Sequence, residues 1–246
     1  MRRFFVPAEA IGDGSITIEG DLFRHMAKVL RLKTGASVLI SDGSGNEFPG
    51  VIRAIDKASL VVDLADTRQD SASEDGPRIT LYQGLPKGDK MDLILQKATE
   101  LGVSEIVPFV ASRSIPRVRK GEEHDRLARW QRIVHEAARQ SGRTSIPVVS
   151  WACGLEEVLG TSGQAVRLLL WEEERENRLK ETLAGIPLPE TVALIVGPEG
   201  GLSAAEADQA RACGYVPVSL GKRIVRTETA SLVMLAILQF LWGDLG

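Results

Sequence analysis

An apolar stretch that ends in a glycine-rich turn and then a helix start most constrains how this chain can fold. The apolar run 192–196 stops at Gly197, and the sequence Gly-Pro-Glu-Gly-Gly occupies residues 197–201. Ser203 and Glu206 then have the spacing of a capping box, in which each side chain accepts a hydrogen bond from a free backbone N–H at a helix start. The stretch predicts a buried strand, a tight turn and a helix. α/β proteins use such turns where a ligand approaches bare backbone.

The chain from residue 78 onward alternates between predicted strands and helices. Strands are predicted at 79–83, 105–110, 148–151, 166–171, 192–196 and 215–220, and helices at 89–101, 125–140, 155–159, 178–183, 204–212 and 228–242. This alternation is typical of an α/β fold with a parallel sheet covered by helices. Because parallel strands end at the same edge of a sheet, the loops after 171, 196 and 220 are expected to line one pocket.

Residues 1–68 predict a smaller module of short strands with one helix. Strands are expected at 3–6, 15–18, 37–41, 47–55 and 60–64, with a glycine-rich hairpin loop at 42–46. The helix is expected to begin at Asp21 and to bury Leu22, Met26, Val29 and Leu30. The polar stretch 69–77 lacks apolar periodicity and is predicted to be a linker. The predicted domains are therefore a β-barrel-like module at 1–70 and an α/β domain at 77–246.

Composition narrows the class of protein. The chain has 246 residues, 43% of them apolar, and a net charge of −3, which indicates a folded protein and excludes a uniformly basic nucleic-acid binder. Cys153 and Cys213 lie far apart in sequence and predict reduced thiols rather than a metal site. The chain start lacks a signal-peptide core and no apolar run reaches the length of a membrane span. A cytoplasmic protein without membrane or metal partners is expected.

Two groups of basic residues could contact the phosphates of RNA. Arg24, Lys28 and Arg31 have a spacing that predicts one helix face, which could equally be an ordinary solvated face. The second group lies between residues 112 and 143, where arginines outnumber acidic residues. The residues predicted to bind RNA are Arg2, Arg3, Arg24, Lys28, Arg31, Arg113, Arg117, Arg139 and Arg143.

An arginine and a glutamate stand where the last predicted helix begins. Thr227 could cap that helix, and Glu228 would interact favourably with the helix dipole, so neither residue requires a function. The guanidinium of Arg226 would still need an anion or a carbonyl as its hydrogen-bond partner. The glycine turn matches neither the dinucleotide fingerprint nor the phosphate loop, and Glu199 would repel a phosphate. A ligand with an adenosine-like body and no phosphate fits the turn better.

Six motifs that span the chain in order carry a likeness to a known family, at residues 25–35, 87–92, 97–103, 136–143, 194–202 and 220–230. They resemble the RsmE family, the bacterial 16S ribosomal RNA uridine-N3 methyltransferases of the SPOUT superfamily. It implies a PUA-like RNA-binding barrel at 1–70 and, at 77–246, a SPOUT domain with a parallel sheet, helices on both faces and a trefoil knot. It further implies the cofactor S-adenosyl-L-methionine, a homodimer whose active sites need both subunits, and 16S rRNA of the small ribosomal subunit as substrate.

The resemblance also assigns residues to the cofactor, and the chemistry of the reaction suggests two further residues. The residues it places at the cofactor are Leu170, Trp171, Glu172, Val196, Gly197, Pro198, Glu199, Gly200, Gly201, Leu220, Gly221, Ile224, Val225 and Ala230. Uracil N3 carries a proton and is a poor nucleophile until that proton leaves, so the enzyme must stabilise the anion or supply a base. As catalytic residues we expect Arg226 to stabilise the negative charge on the base and Glu228 to act as base or positioning group.

Three other functions remain open at this point. Another SPOUT methyltransferase could act on a ribose 2′-hydroxyl or on a different base. A non-catalytic ribosome-assembly factor could retain a vestigial cofactor pocket. An unrelated α/β nucleotide-binding enzyme is disfavoured by Glu199 in the turn.

Overall fold

A computed structural model describes residues 1–12, 14–65, 69–70, 76–115, 121–160 and 163–245. The chain divides into two compact units. The first comprises Met1–Glu74 together with Ala138–Ile146, and the second comprises Asp75–Ala137 and Pro147–Gly246. The domain bounds 1–70 and 77–246 stay a prediction, and the two divisions differ most at residues 138–146.

The first unit is built on a mostly antiparallel sheet with strand order β1-β3-β4-β5-β2. Its strands are β1 (Arg2–Phe5), β2 (Ser15–Glu19), β3 (Ser37–Ser41), β4 (Asn46–Ile55), β5 (Ser59–Leu64) and β6 (Gln69–Asp70). Strands β1 and β3 are parallel, and β3 and β4 form the predicted hairpin. The short β6 pairs with β4, so the predicted linker is wrong at its first two residues; residues 71–75 lie outside the described residues.

The helical segment of the first unit is irregular. Helix α1 (Gly20–Phe23) has Glu19 rather than Asp21 at its N-cap, and it continues as a π-helical turn at Arg24–Val29. Arg31 then adopts a left-handed conformation with φ 51°. Because the π turn is wider than an α turn and Arg31 lies beyond it, the α-helical spacing from which a common face of Arg24, Lys28 and Arg31 was predicted does not hold. Val29, expected to be buried, is 67% exposed for the same reason.

The second unit contains the predicted parallel sheet, with strand order β12-β10-β11-β7-β8-β9. Its strands are β7 (Arg78–Gly84), β8 (Glu105–Phe109), β9 (Val148–Val149), β10 (Val166–Leu170), β11 (Thr191–Val196) and β12 (Val216–Val218). Its helices are α2 (Lys90–Glu100), α3 (Glu122–Ser141), α4 (Leu155–Gly160), α5 (Leu179–Leu183), α6 (Ala204–Ala212) and α7 (Thr227–Trp242). The last turn of α3 belongs to the first unit.

Helices cover both faces of this sheet, as the fold class predicted. Ala193 and Ile195 of β11 belong to an apolar cluster with residues of α4 and α6. The alternate residues Val192 and Leu194 are fully buried on the opposite face, where α7 contacts β11 and packs against α2. The strand that leads into the glycine turn is therefore buried on both sides, which fixes the position of the turn. The trefoil knot stays a prediction.

Candidate functional site

The carboxyl ends of β10, β11 and β12 form one pocket together with the start of α7, as the parallel order predicted. The cavity has a volume of about 400 Å³, within the range of small-molecule sites. Its lining residues are Lys90, Leu170, Trp171, Glu172, Val196, Gly197, Pro198, Glu199, Gly201, Val218, Ser219, Leu220, Arg223, Ile224, Val225, Arg226, Thr227 and Ala230. All of them lie in the second unit.

A buried hydrogen-bond network holds the glycine turn against α7. The Thr227 hydroxyl donates to the Gly197 carbonyl at 2.6 Å and accepts from Nε2 of Gln83 at 3.0 Å. Gln83 is fully buried; its Nε2 also donates to the Gly84 carbonyl, and its Oε1 accepts from the Ser231 hydroxyl at 2.5 Å. Thr227 is thus not the helix cap expected from sequence, since Arg226 occupies the N-cap. Its hydroxyl instead fixes the turn.

Three glycines allow the chain to approach itself closely at the turn. A Cβ built at Gly84 would lie 2.5 Å from Cδ and 2.6 Å from N of Pro198. Gly201 has φ +67°, and a Cβ there would lie 1.7 Å from Oε1 of Glu172. A Cβ at Gly197 would lie 3.1 Å from the carbonyl carbon of Gly201, so this glycine also serves the folding of the turn itself. A larger residue at Gly84 would meet the backbone and ring of Pro198, and one at Gly201 would be strained by the left-handed backbone conformation.

Charged groups are paired at the mouth of the pocket. Nζ of Lys90 lies 2.8 Å from Oε1 of Glu199 and 3.5 Å from Oε2 of Glu228. The backbone N–H of Lys87 donates to both carboxylate oxygens of Glu199, at 3.1 and 3.3 Å. NH1 of Arg226 lies 4.0 Å from Oε1 of Glu228. The negative charge of Glu199, expected to repel a phosphate, is therefore compensated by Lys90.

The pairing shifts the pKa of both partners. Burial raises the pKa of the Glu199 carboxyl, but the hydrogen bonds from the Lys90 ammonium and the Lys87 N–H outweigh burial, so the pKa lies below 4.5. The hydrogen bond to Glu199 raises the pKa of Lys90 above 10.5. Both groups are therefore charged at neutral pH.

The remaining wall is largely apolar, which suits an adenosine-like body. Leu170, Val196 and Leu220 come from the three strand ends. Trp171 is stacked under the guanidinium of Arg211, whose Cζ lies 4.7 Å from the ring centroid. The indole Nε1 of Trp171 is buried and, within the part of the chain that the structure describes, has no hydrogen-bond partner. An apolar wall beside bare turn backbone is a cradle for a nucleoside without phosphates.

The cavity includes twelve of the fourteen residues predicted to bind the cofactor. Gly200 and Gly221 are not among its lining residues, and their part in cofactor binding stays a prediction. Gly200 instead packs on Arg113, where an added Cβ would lie 2.9 Å from the arginine Cβ, and Gly221 adopts φ +112°. The lining also includes Lys90, Val218, Ser219, Arg223 and Thr227, which are outside the predicted cofactor and catalytic sets. Arg223 and Thr227 lie in the segment after 220, which was expected to line the pocket, whereas Lys90 was not assigned to it. Lys90 lies inside the motif at 87–92, and this motif was the one sequence signal that could have pointed to it.

Two protein-family models match the chain in the order of its units. A model described as an RNA methyltransferase PUA domain matches residues 18–65, and one described as an RNA methyltransferase domain matches residues 74–239. Ribosomal RNA small subunit methyltransferase E (RsmE) of Bacillus subtilis is 28% identical over 98% of this chain and 96% of its own length. The protein of that name from Synechocystis sp. is 34% identical over 95% of this chain and 76% of its own.

This chain belongs to the RsmE family. A crystal structure of RsmE from Neisseria gonorrhoeae, bound to S-adenosyl methionine, matches it with a TM-score of 0.86 and 34% identity over the whole of both chains. The family therefore agrees with the PUA-like first domain and the α/β second domain expected from the sequence. Among the described residues, no helix is long and apolar enough to cross a membrane, and no group of three or more His, Cys, Asp and Glu could hold a metal ion.

The arginines that we predicted to bind RNA in this RsmE chain have different surroundings. Arg3 contacts the Glu47 carboxylate and the Gly142 carbonyl within the first unit, so its guanidinium is occupied internally. Arg24 pairs with Asp21 on the surface. Arg2, Lys28 and Arg31 are exposed.

The arginines of the second basic group also differ in their exposure and in their hydrogen-bond partners. Arg113 donates to the carbonyls of Gly200 and Leu202 at 3.3 and 3.4 Å, and so it supports the glycine turn. Arg143 is half-buried and donates to the Ser145 hydroxyl at 3.1 Å. Arg139 is exposed on α3, and Arg117 lies outside the described residues. Binding of RNA by any member of either group stays a prediction.

Proposed function

We propose that this protein transfers a methyl group from S-adenosyl-L-methionine to N3 of a specific uridine in 16S rRNA of the small ribosomal subunit. The observation that carries the proposal is the pocket at the ends of β10, β11 and β12. It joins a glycine turn to an apolar wall and opens beside an arginine and a carboxylate. The N. gonorrhoeae RsmE structure with bound S-adenosyl methionine supports the choice of cofactor.

The residues of the pocket fit this cofactor. The backbone at 196–201 and 220–225 and the strand end at 170–172 would hold the adenosine, with Ala230 near the methionine part. The cofactor carries no phosphate, in keeping with a turn whose acidic residue is already paired with Lys90. When bound, it supplies a methyl group that is already activated as a sulfonium, so alignment and charge stabilisation remain for the protein.

Arg226 and Glu228 are the residues proposed to act on the base. The side chain of Arg226 is 80% exposed at the rim of the pocket, and it is therefore available to an incoming uracil. There it would stabilise the negative charge that remains when the N3 proton leaves. The Glu228 side chain is only 13% exposed, and it would accept that proton or position the base.

We also propose a homodimer whose active sites need both subunits. Val233, Phe240 and Leu241 leave an exposed apolar strip along α7. Ile224 lines the pocket although it is 86% exposed, which fits a wall completed by a second subunit. The bounds 1–70 and 77–246, the knot, RNA binding by both basic groups and a cytoplasmic location belong to the same proposal.

The decisive experiment is identification of the methylated nucleoside. The protein is incubated with labelled S-adenosylmethionine and small ribosomal subunits that lack the modification. The RNA is then digested to nucleosides, and the labelled nucleoside is identified by chromatography and mass spectrometry. Label in 3-methyluridine is the expected result. Label in a 2′-O-methyl nucleoside would replace uracil N3 by a ribose target. Cofactor binding without any label would favour an assembly factor.

A further inference from the structure

We infer that Lys90 is a positioning residue that links the cofactor-binding turn to the carboxylate of Glu228. The inference rests on the proposed function, because it concerns the coupling of cofactor and base within the same site. Lys90 is the first residue of α2 and lines the pocket.

The first half of the link joins α2 to the turn. The Lys90 ammonium and the Lys87 N–H both donate hydrogen bonds to the carboxylate of Glu199. The segment after β7 is therefore bonded to the glycine turn through Glu199. The Lys90 side chain is 30% exposed and that of Glu199 is 26% exposed, so the contact is partly shielded from water. A displacement of the turn on cofactor binding would therefore move the Lys90 ammonium with it.

The second half joins α2 to the start of α7. Oε2 of Glu228 is buried and has no hydrogen-bond partner among the described residues, while the Lys90 ammonium lies 3.5 Å from it. The other oxygen of Glu228 is 4.0 Å from Arg226. Lys90 therefore supplies compensating charge on the buried side of this carboxylate, and Arg226 does so on the exposed side.

One ammonium can serve both carboxylates because it is a compact charge with three donors on a flexible stem. Without Lys90, Glu199 and Glu228 would face each other without their shared cation, and repulsion would push Glu228 from its place beside Arg226. Misplacement of a reacting group by an ångström can cost about 100-fold in rate. Cofactor affinity depends on more contacts than this one and should change less.

The test compares Lys90→Met and Lys90→Arg with Lys97→Met. Lys97 is a matched control, since it lies on the same helix, pairs with Glu100 at 2.8 Å with similar exposure, and is not among the residues that line the pocket. Single-turnover methylation of small subunits is measured at saturating S-adenosylmethionine, cofactor affinity by calorimetry, and folding by thermal denaturation. For Lys90→Met we expect a loss of about 100-fold in rate and of about fivefold or less in cofactor affinity. Lys90→Arg restores the positive charge but not the compact ammonium, so it should recover only part of the rate, and Lys97→Met should match the wild type.

A double-mutant cycle distinguishes positioning from a general effect on folding. If Lys90 acts through Glu228, the variant Lys90→Met/Glu228→Gln should be no slower than Glu228→Gln alone. Rate losses that multiply would overturn the inference, as would an unchanged rate in Lys90→Met.

Failure of the proposed function is recognised separately. If the wild type binds S-adenosylmethionine and produces no 3-methyluridine, the proposed reaction fails. The Lys90 link is then judged by the cycle between Lys90→Met and Glu199→Gln in cofactor affinity. Non-additive losses support the link to the turn, and additive losses overturn it.

Discussion

At the scale of single residues, Arg226 offers the sharpest test of the proposed chemistry. Arg226→Ala removes a largely exposed guanidinium, so folding and cofactor affinity should remain near those of the wild type. Removal of one group that stabilises charge in a transition state costs about 100- to 1000-fold in turnover. Arg178→Ala is the control, because that side chain is similarly exposed and pairs only loosely with Glu181, at 3.9 Å. Unchanged methylation by Arg226→Ala in a turnover assay would exclude Arg226 from the mechanism.

Thr227 is the residue on which the shape of the turn depends most directly. Valine has nearly the same shape, but it would leave the Gln83 amide N–H and the Gly197 carbonyl without their buried partner. Such a loss costs about 1–3 kcal/mol. Thr227→Val should therefore lower the free energy of unfolding in urea by about that amount and weaken cofactor binding. Thr227→Ser keeps the hydroxyl and should lose much less; equal losses in both variants would argue against the network.

At the scale of elements, the end of β7 and the turn after β11 are fitted to each other through Gly84. A methyl group at Gly84 would meet the backbone and ring of Pro198, neither of which can rotate away. Overpacking of this kind costs about 1–3 kcal/mol, so Gly84→Ala should lower the melting temperature and weaken S-adenosylmethionine binding in a calorimetric titration. Gly160→Ala is the control, since no described atom lies within 4 Å of a Cβ there. A Gly84→Ala protein with wild-type cofactor affinity would contradict this role of the glycine.

The capping box of α6 also ties this helix to the segment after β8. Glu206 accepts hydrogen bonds from N and Oγ of both Ser203 and Ser112, at 2.7 to 2.9 Å. Burial raises the pKa of Glu206, but these hydrogen bonds outweigh it and leave the pKa below 4.5. The folded state then binds fewer protons than the unfolded state, so this contribution to stability is complete above pH 4.5 and is lost as the pH falls through the lower folded-state pKa.

Glu206→Gln tests that dependence. At pH 7 the variant should unfold more easily by about 1–3 kcal/mol, because an amide cannot accept from all four donors. The difference from the wild type should shrink below pH 4.5 as the wild-type carboxyl becomes protonated. Chemical denaturation at pH 7, 5 and 3.5 measures it, and a difference that is constant with pH would show that the charge of Glu206 does not matter.

The elements that could be predicted are those with local signals. Helix α6 occupies 204–212 as expected, because its capping box is complete within four residues. The contact between Gln83 and Thr227 joins residues 144 positions apart, and no spacing in the sequence encodes it. The same holds for Lys90, whose partners lie on two other segments. The π-helical turn was missed because apolar periodicity assumes 3.6 residues per turn.

At the scale of the whole molecule, the first unit takes in residues that the sequence assigned to the second. The Ser41 hydroxyl donates to the Thr144 carbonyl at 3.2 Å, Arg3 contacts the Gly142 carbonyl, and a Cβ at Gly43 would lie 2.9 Å from Cδ1 of Ile146. The polar stretch at 69–77 could suggest a boundary, but it could not show that Ala138–Ile146 belongs to the first unit. Local composition can predict a linker, but it cannot predict which distant segment of the chain packs against a unit.

Some basic residues of the first unit are exposed, and others are paired with residues of the same unit. The difference matters for RNA binding, because the chain as a whole has a net charge of −3. A substitution that removes one cation from an RNA phosphate should reduce the slope of log affinity against log salt by about one. Lys28 is exposed, so Lys28→Ala should lower that slope for 16S rRNA and leave the melting temperature unchanged. Arg3 is engaged with Glu47, whose side chain is 8% exposed, so Arg3→Ala should lower the melting temperature and should reduce the slope less than Lys28→Ala does.

Lys57 provides the control for this comparison, since it is exposed on the first unit and lies outside both basic groups. Binding is measured between 50 and 300 mM salt, about the range in which released counterions dominate the affinity. A slope reduced equally by Lys57→Ala and Lys28→Ala would show that RNA responds to the overall charge of the unit. A slope reduced by Lys28→Ala alone would place a phosphate beside the π-helical turn, because the long-range field of the protein changes equally in both variants.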